Sequence, residues 1–363
     1  SVFFLKLKRH LKYGLLTLAT FAERLVATIL LISSALLFEN VWAFVVADIG
    51  GAFTLMVISH ALSQQRPVLT LANVAEQWAF SKWLIGKQIA GYLRSQLDTL
   101  LVAKFFSSTV TGHYYMARDV AMLPGRFLLG PAIEPLIASF RNEKLKRQAL
   151  LEKVALSYCV ALLIASPIAI FVAYFADVVV LTLLGPQWDM AAEYLPSLIF
   201  LFFYWVILQV TEQGLIARGK VSFLFYFDVF SLLFITCVLL TSLAAQTNIL
   251  LLIEVRIAAG FFLTGIAIGI LYSNQWKVLY GVLINLMAFF TISLISAEVA
   301  FKLGGMLGIA WAPLKLLVVG LVFGATYLPC ILLYVIKLSH KDYRGPLIFI
   351  FQEAWTTLSA FRR

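Results

Sequence analysis

The sequence has few charged residues. Asp, Glu, Lys and Arg make up 13% of its 363 residues, whereas hydrophobic residues make up 62%. A soluble domain typically contains about a quarter charged residues and about half apolar ones. This shortage of charge, with apolar runs along the whole length, excludes a water-soluble globule, a disordered chain and a disulfide-rich secreted module. The composition is that of a polytopic membrane protein.

Cysteine and histidine are also scarce. Cys159, Cys237 and Cys330 lie within apolar runs, and together with the four histidines they form no CxxC motif or Cys/His cluster. The sequence therefore predicts neither a disulfide framework nor a zinc site. It also lacks the GxxxxGK[ST], HExxH and GxSxG motifs. We predict a protein that is not an enzyme, with no catalytic residue, metal or cofactor, and any transport would not be driven by ATP hydrolysed on this chain.

Long apolar segments predict an all-α bundle of transmembrane helices. A helix needs about 20 mostly apolar residues to cross the hydrocarbon core, and no ten-residue alternation typical of a barrel strand is present. Ten spans are predicted, of which the third and fourth are the least apolar. Their limits are residues 16 to 37, 41 to 62, 79 to 106, 108 to 139, 154 to 176, 190 to 216, 223 to 244, 249 to 272, 279 to 302 and 313 to 337.

The positive charges indicate the orientation of these spans. The net charge is +10, and the basic residues of the connections lie on one side only. They are Lys6, Lys8, Arg9, Lys12, Arg66, Arg141, Lys144, Lys146, Arg147, Lys153, Arg218, Lys220, Lys277, Lys337, Lys341 and Arg344. The opposite connections hold none, with Lys302 at their margin. Because basic loops stay in the cytoplasm, both ends of the chain are predicted to be cytoplasmic, and the basic excess reflects topology rather than nucleic-acid binding.

Both ends of the chain look amphipathic. Residues 1–15 mix Phe and Leu with basic residues, and residues 338–363 place aromatic and aliphatic side chains at helical spacing. Both segments are predicted to lie in the inner membrane interface. The chain begins with Ser1 rather than Met, which suggests that an upstream part of the native protein is absent.

The third span carries a polar stripe. Lys87, Gly91, Arg94 and Asp98 follow one another at helical spacing and share one face. Ionisable groups within a span are costly and normally face a protein interior or a wet cavity, so this stripe is a candidate functional feature. The alternative is that Arg94 and Asp98, four residues apart, simply neutralise each other.

The fourth span is charged as well and is interrupted by proline. Tyr115, Asp119 and Arg126 share a face, with Arg118 beside it and Glu134 further along. Prolines at three positions should kink this helix where a cavity or neighbour satisfies the freed carbonyls. They are Pro124, Pro131 and Pro135.

Further charges occur in the other spans. They are Glu23, Arg24, Asp48, Glu212, Asp228, Glu254 and Arg256. Glu254 and Arg256 point to different sides of their helix, so each needs a partner on another helix. Glu23, Arg24, Glu212 and Asp228 lie near span ends, where the alternative of snorkelling to the interface applies. Taken together, the charges predict a hydrated, net cationic cavity between helices.

Several motifs resemble a known family. The run at 83–140 is similar to the opening of the second half of Wzx-type oligosaccharide flippases of the multidrug/oligosaccharidyl-lipid/polysaccharide (MOP) exporter superfamily, although Tyr115 departs by one residue from the family's spacing. The matching positions are Asp98, Gly112, Ala117, Pro124, Pro135 and Arg141. LLGPQWDMAA at 183–192 and GLIARGKVSF at 214–223 also resemble family motifs.

The resemblance implies a domain organisation. Members have twelve to fourteen spans in two six-helix lobes, an architecture shared with the multidrug exporters of the superfamily. Residues 16–62 would then be the last two helices of the N-terminal lobe, and residues 79–272 the C-terminal lobe. Residues 279–337 would be two extra C-terminal helices. On this mapping the first four spans are missing.

The resemblance also implies a function. It is the flipping of polyprenyl-pyrophosphate-linked oligosaccharides across the bacterial cytoplasmic (inner) membrane, for exopolysaccharide, O-antigen or capsule synthesis, by alternating access. Candidate partners are this lipid-linked substrate, the bilayer, and polysaccharide polymerase and export machinery. Since pyrophosphate is anionic, basic side chains are expected to contact it. The candidates are Lys87, Arg94, Arg118, Arg126 and Arg256 for substrate, and Asp48, Asp98, Asp119 and Glu134 for coupling to an ion.

Three other functions stay open. A lipid II flippase or a multidrug antiporter of the same superfamily is one, although a drug exporter should favour carboxylates in its cavity. An integral-membrane glycan polymerase or ligase is another, but such enzymes usually carry a large outer loop with Arg and His. A purely structural membrane scaffold would not need charged stripes within its spans.

Overall fold

The structure, a computed structural model, is built of helices. It describes residues 4, 7, 13–38, 40, 42–62, 74–136, 140, 147–245, 248–273 and 275–337, and no strand occurs among them. The predicted amphipathic ends lie outside these residues except for Phe4, Leu7 and residues 13–15. The chain divides into two compact units, Ser1–Glu76 and Gln77–Arg363.

The first unit contains helices α1 (Tyr13–Phe38) and α2 (Trp42–Leu62). The two helices pack against each other through small side chains of α2, which recur about every four residues and are buried. They are Ala43, Ala47, Gly51 and Ser59. Small residues let helix backbones approach closely in a membrane, where packing rather than hydrophobic burial holds helices together.

The second unit contains the remaining helices. They are α3 (Val74–Phe105), α4 (Ser108–Pro124), a π-helical turn (Gly125–Leu129), α5 (Gly130–Ile133), α6 (Arg147–Tyr174), α7 (Ala176–Leu183), a 3-10 turn (Pro186–Trp188), α8 (Asp189–Ala217), α9 (Val221–Ala244), α10 (Ile249–Leu271), α11 (Lys277–Met306) and α12 (Ala312–Lys337). Helix α3 begins at the end of the first unit.

Eight helices in the described residues are long and apolar enough to cross a membrane. They correspond to all the predicted spans except the third and fourth. Helix α3 has 32 residues, and α4, the π turn and α5 form one continuous helical stretch, so both segments are long enough to cross a membrane. Both carry more polar residues than the eight apolar helices. The all-α polytopic fold is confirmed, and the spanning of α3 and α4 stays a prediction.

Helix α8 lies at the centre of the second unit. It packs against α4, α6 and α10, and the side chains of Leu195, Leu198, Phe202 and Val206 are fully buried along one face. The last two helices, α11 and α12, belong to the same compact unit, since α11 packs on α6 and α12 on α7. The connection between the predicted fifth and sixth spans, residues 177–189, contains only the short α7 and the 3-10 turn.

The proline-rich stretch after α4 changes its helical pitch. Pro124 ends α4, and the next turn is π-helical, with the amide of Gly130 donating to the carbonyl of Gly125. A Cβ on Gly125 would lie 3.1 Å from the Trp205 ring, so glycine permits the close approach of α8. Arg126 lies in this wide turn, a feature often found at functional sites.

The predicted orientation can be tested by cysteine labelling. Cys237 and Cys330 are exposed and would first be replaced by serine, whereas Cys159 is buried. We expect a membrane-impermeant maleimide added to intact cells to label Asp189→Cys, at the start of α8, and not Lys277→Cys, at the start of α11. Lys277→Cys should become labelled once the membrane is permeabilised. The reverse pattern would show that the positive-inside assignment is wrong.

Candidate functional site

A buried aspartate on α9 joins two basic residues of α3. Asp228 is fully buried, and its two oxygens lie 2.9 Å from the Arg94 Nη1 and 3.6 Å from the Lys87 Nζ. The Lys87 Nζ also donates to the Glu212 Oε2 on α8 at 2.7 Å. Seven residues separate Lys87 from Arg94, which is two helical turns, so one face of α3 reaches both carboxylates.

A second aspartate lies one turn beyond Arg94 on α3. The Asp98 Oδ2 lies 3.6 Å from the Nε of Arg118 on α4 and 3.5 Å from the Nε of Arg256 on α10. Arg118 also donates to the carbonyl of Ser95. The guanidinium of Arg256 stands over the ring of Tyr204 on α8, 5.8 Å from its centre.

These groups form what we name the buried charge cluster. Its members are Lys87, Arg94, Asp98, Arg118, Glu212, Asp228 and Arg256. Four cations face three carboxylates, which leaves one positive charge in excess, and every side chain is at most 16% exposed. Removing charges from water costs several kcal/mol each, so such a cluster is weak evidence for stability and stronger evidence for function.

The structure corrects two of the sequence-based alternatives. Arg94 and Asp98 do not neutralise each other, because each has partners on other helices. Glu212 and Asp228 do not snorkel to an interface but lie buried in the bundle. The expectation that Arg256 needs a partner on another helix is confirmed by its pairing with Asp98.

Four predicted residues are not members of the buried charge cluster. The Arg126 Nη1 donates to the Asp119 Oδ1 at 2.5 Å, and these two side chains are 50% and 34% exposed. Among the described residues, this pair forms no ion pair with the cluster. Glu134 is exposed just after α5. Asp48 is exposed on α2, in the first unit.

An open pocket lies between the end of α3 and the start of α4. Its volume is about 370 Å³, and its lining includes the hydroxyl-bearing residues Thr99, Ser108, Thr111 and Tyr115. Half of the Tyr115 side chain is exposed. Hydroxyl groups and an accessible aromatic ring can contact a neutral, hydrogen-bonding ligand from several sides.

The sequence analysis did not predict the role of three residues in the site. Glu212 and Asp228 appeared only as charges near span ends, yet they hold Lys87 and Arg94. Their signal was an acidic residue within an otherwise apolar run. Tyr204 carried no signal, because its position beneath Arg256 depends on how α8 and α10 pack.

Comparison with known proteins identifies the family. A sequence model of the family described as "Polysaccharide biosynthesis protein" matches residues 1–193, more than half of the chain. The chain belongs to this family. No solved structure matches it.

Three relatives of known description share parts of the sequence. Succinoglycan biosynthesis transport protein ExoT of Rhizobium meliloti (strain 1021) is 23% identical over 159 residues, which are 43% of this chain and 32% of ExoT. Teichuronic acid biosynthesis protein TuaB of Bacillus subtilis (strain 168) is 21% identical over 223 residues, 61% of this chain and 44% of TuaB. Lipopolysaccharide biosynthesis protein WzxC of Escherichia coli (strain K12) is 38% identical over 55 residues, 15% of this chain and 11% of WzxC.

The similarity covers less than half the length of each of these relatives. Together with the eight apolar helices, it supports the prediction of a multi-pass protein of the bacterial inner membrane in polysaccharide biosynthesis.

Proposed function

We propose that this protein flips polyprenyl-pyrophosphate-linked oligosaccharides across the inner membrane by alternating access. The observation that carries the proposal is the buried charge cluster, with its excess positive charge among membrane helices of a polysaccharide biosynthesis family member. A pyrophosphate is the most concentrated negative charge of such a substrate, and charge-assisted hydrogen bonds from Lys and Arg are strong where water is excluded.

The carboxylates of the cluster hold its cations in position for an incoming pyrophosphate. Lys87 and Arg94 share Asp228, and Arg118 and Arg256 share Asp98, so each aspartate holds two cations in place. An incoming pyrophosphate offers more negative charge than one carboxylate and can replace it as the partner of a cation. This exchange of ion pairs links substrate binding to a rearrangement of α3 against α8, α9 and α10.

The rest of the substrate needs different surroundings. The hydroxyl-lined pocket between α3 and α4 suits the neutral sugar, while the polyprenyl chain can stay in the bilayer. Arg126, half exposed in the π-helical turn and paired with Asp119 of α4, offers a first contact for the phosphates. Of the candidates for ion coupling, Asp98 contacts Arg118 and Asp119 contacts Arg126. Asp48 and Glu134 remain candidates because of their positions in the sequence.

A cluster with excess positive charge disfavours the multidrug alternative. Drug exporters of cationic compounds need an attractive negative charge, and a like charge in the cavity would repel their substrates. A lipid II flippase shares the pyrophosphate chemistry, so the sugar would distinguish the two.

We expect Arg126→Gln to lower the flipping rate severalfold without unfolding the protein, because the Asp119–Arg126 pair is exposed. The measurement uses protein in liposomes that contain a polyprenyl-pyrophosphate oligosaccharide with a fluorescent sugar, and an impermeant quencher reports its leaflet. Lys302→Gln is the matched control, because Lys302 forms a similarly exposed pair with Glu298. It should flip like the unmodified protein.

The assay also tests the proposal as a whole. Unchanged flipping in both Arg126→Gln and Arg94→Gln would reject the assignment of these cations to the substrate. Absence of flipping by the unmodified, folded protein would reject the activity itself.

A further inference from the structure

A small cavity lies inside the second unit, next to the buried charge cluster. Its volume is about 60 Å³, and α3, α8, α9 and α10 all contribute to its lining. The polar part of the lining is Arg94, Ser95, Tyr204 and Arg256, and the rest is apolar or aromatic apart from Gly260. A Cβ on Gly260 would lie only 2.5 Å from the Tyr204 ring. Glycine at this position therefore leaves room for the Tyr204 ring beside Arg256.

Arg256 brings unsatisfied donors to this cavity. The residue is 5% exposed, and its Nη1 and Nε have no hydrogen-bond partner in the part of the chain that the structure describes, although the Nε lies 3.5 Å from Asp98. An unpaired donor in a low-dielectric interior is destabilising, and more so when the donor is charged. The second arginine of the lining, Arg94, is paired with Asp228.

The charge balance of the cluster indicates that a ligand of this cavity would be negatively charged. Three carboxylates of the cluster face four cations, and two of those cations line the cavity. Water could satisfy the free N–H groups of Arg256 but would leave the excess charge uncompensated. One monovalent anion between the two guanidinium groups would satisfy both requirements.

We propose that this cavity binds a small inorganic monoanion of the size of chloride. A cavity needs only about 10–15 Å³ to hold one water, so about 60 Å³ accommodates a halide and a few waters. The two phosphates and attached sugar of a lipid-linked oligosaccharide would not fit. The anion site shares Arg94 and Arg256 with the buried charge cluster, but the binding of a halide there does not depend on the protein being a flippase.

The test measures how halides affect thermal unfolding. A ligand of the folded state raises the apparent Tm with the logarithm of its concentration. We expect chloride and bromide to raise the Tm of the purified full chain above that in gluconate at equal ionic strength, by on the order of 5 °C. Sulfate and inorganic phosphate should not replace them, because they are larger.

Two variants connect the effect to the cavity. Arg256→Gln should lose the chloride dependence, whereas Arg126→Gln, outside the cavity, should keep it. Crystals grown in bromide should show an anomalous peak between Arg94 and Arg256, which is a readout that needs no variant. An identical Tm of the unmodified protein in chloride and gluconate would overturn the proposal, and so would full chloride dependence in Arg256→Gln.

The result is independent of transport. A protein that flips its substrate but shows no halide effect would refute the anion site and leave the proposed function intact. A halide effect without flipping would support the anion site and refute the proposed function.

Discussion

Replacing Asp228 by asparagine is expected to destabilise the protein by about 3–5 kcal/mol, the usual cost of breaking a buried ion pair by removing one partner. Asp228 is fully buried and is the shared partner of Lys87 and Arg94. Without its charge, four cations would face only two carboxylates in a low-dielectric interior. The measurement is the Tm and the yield of folded protein after purification in detergent.

A second substitution separates charge imbalance from lost packing. Arg94 forms an ion pair with Asp228, so Arg94→Gln added to Asp228→Asn restores the original excess of one positive charge. The double variant should recover most of the lost stability. Asp119→Asn is the matched control, because it breaks an exposed pair and should change the Tm little.

Two outcomes would contradict this account. A stable Asp228→Asn would mean that water or an alternative partner compensates the cations, and that the cluster is more hydrated than its burial indicates. An unstable double variant would mean that the shape of the Asp228 side chain, rather than its charge, matters at that place.

The sequence was sufficient to predict the fold class and the stripe on α3. Apolar runs have a length set by the bilayer, and a helix has a fixed period, so the spans and the common face of Lys87, Arg94 and Asp98 follow from spacing alone. The wide turn after Pro124 is also consistent with the predicted kink.

The partners of the stripe could not be predicted in this way. Whether Asp98 pairs with Arg94 on its own helix or with Arg256 on α10 depends on which helices are neighbours, and hydropathy does not contain that information. The burial of Glu212 and Asp228 was misjudged for the same reason. An acidic residue near the end of an apolar run is expected to reach the membrane interface. Here the packing of α8 and α9 against α3 places Lys87 and Arg94 next to Glu212 and Asp228, so that these carboxylates can be buried.

Arg94→Gln is expected to lower the flipping rate by a factor of about 10–100 while the protein stays folded. A hydrogen bond to a charged group contributes about 1.5–3 kcal/mol, and about 1.4 kcal/mol corresponds to tenfold in rate. Stability should be retained because Asp228 keeps Lys87 as a partner at 3.6 Å and the remaining charges of the cluster balance. The liposome flipping assay and the Tm are measured on the same preparation.

The contrast between the two substitutions tests what the excess charge is for. Asp228→Asn raises the excess and should act first on folding, whereas Arg94→Gln removes it and should act on transport. The double variant should therefore be folded and still inactive, since it lacks a cation for the pyrophosphate. Arg94→Lys keeps the charge but loses the planar donors, so partial activity is expected. Full activity in Arg94→Gln, with an unchanged Tm, would mean that the excess charge of the cluster serves the fold or the bound anion and that the pyrophosphate is recognised elsewhere.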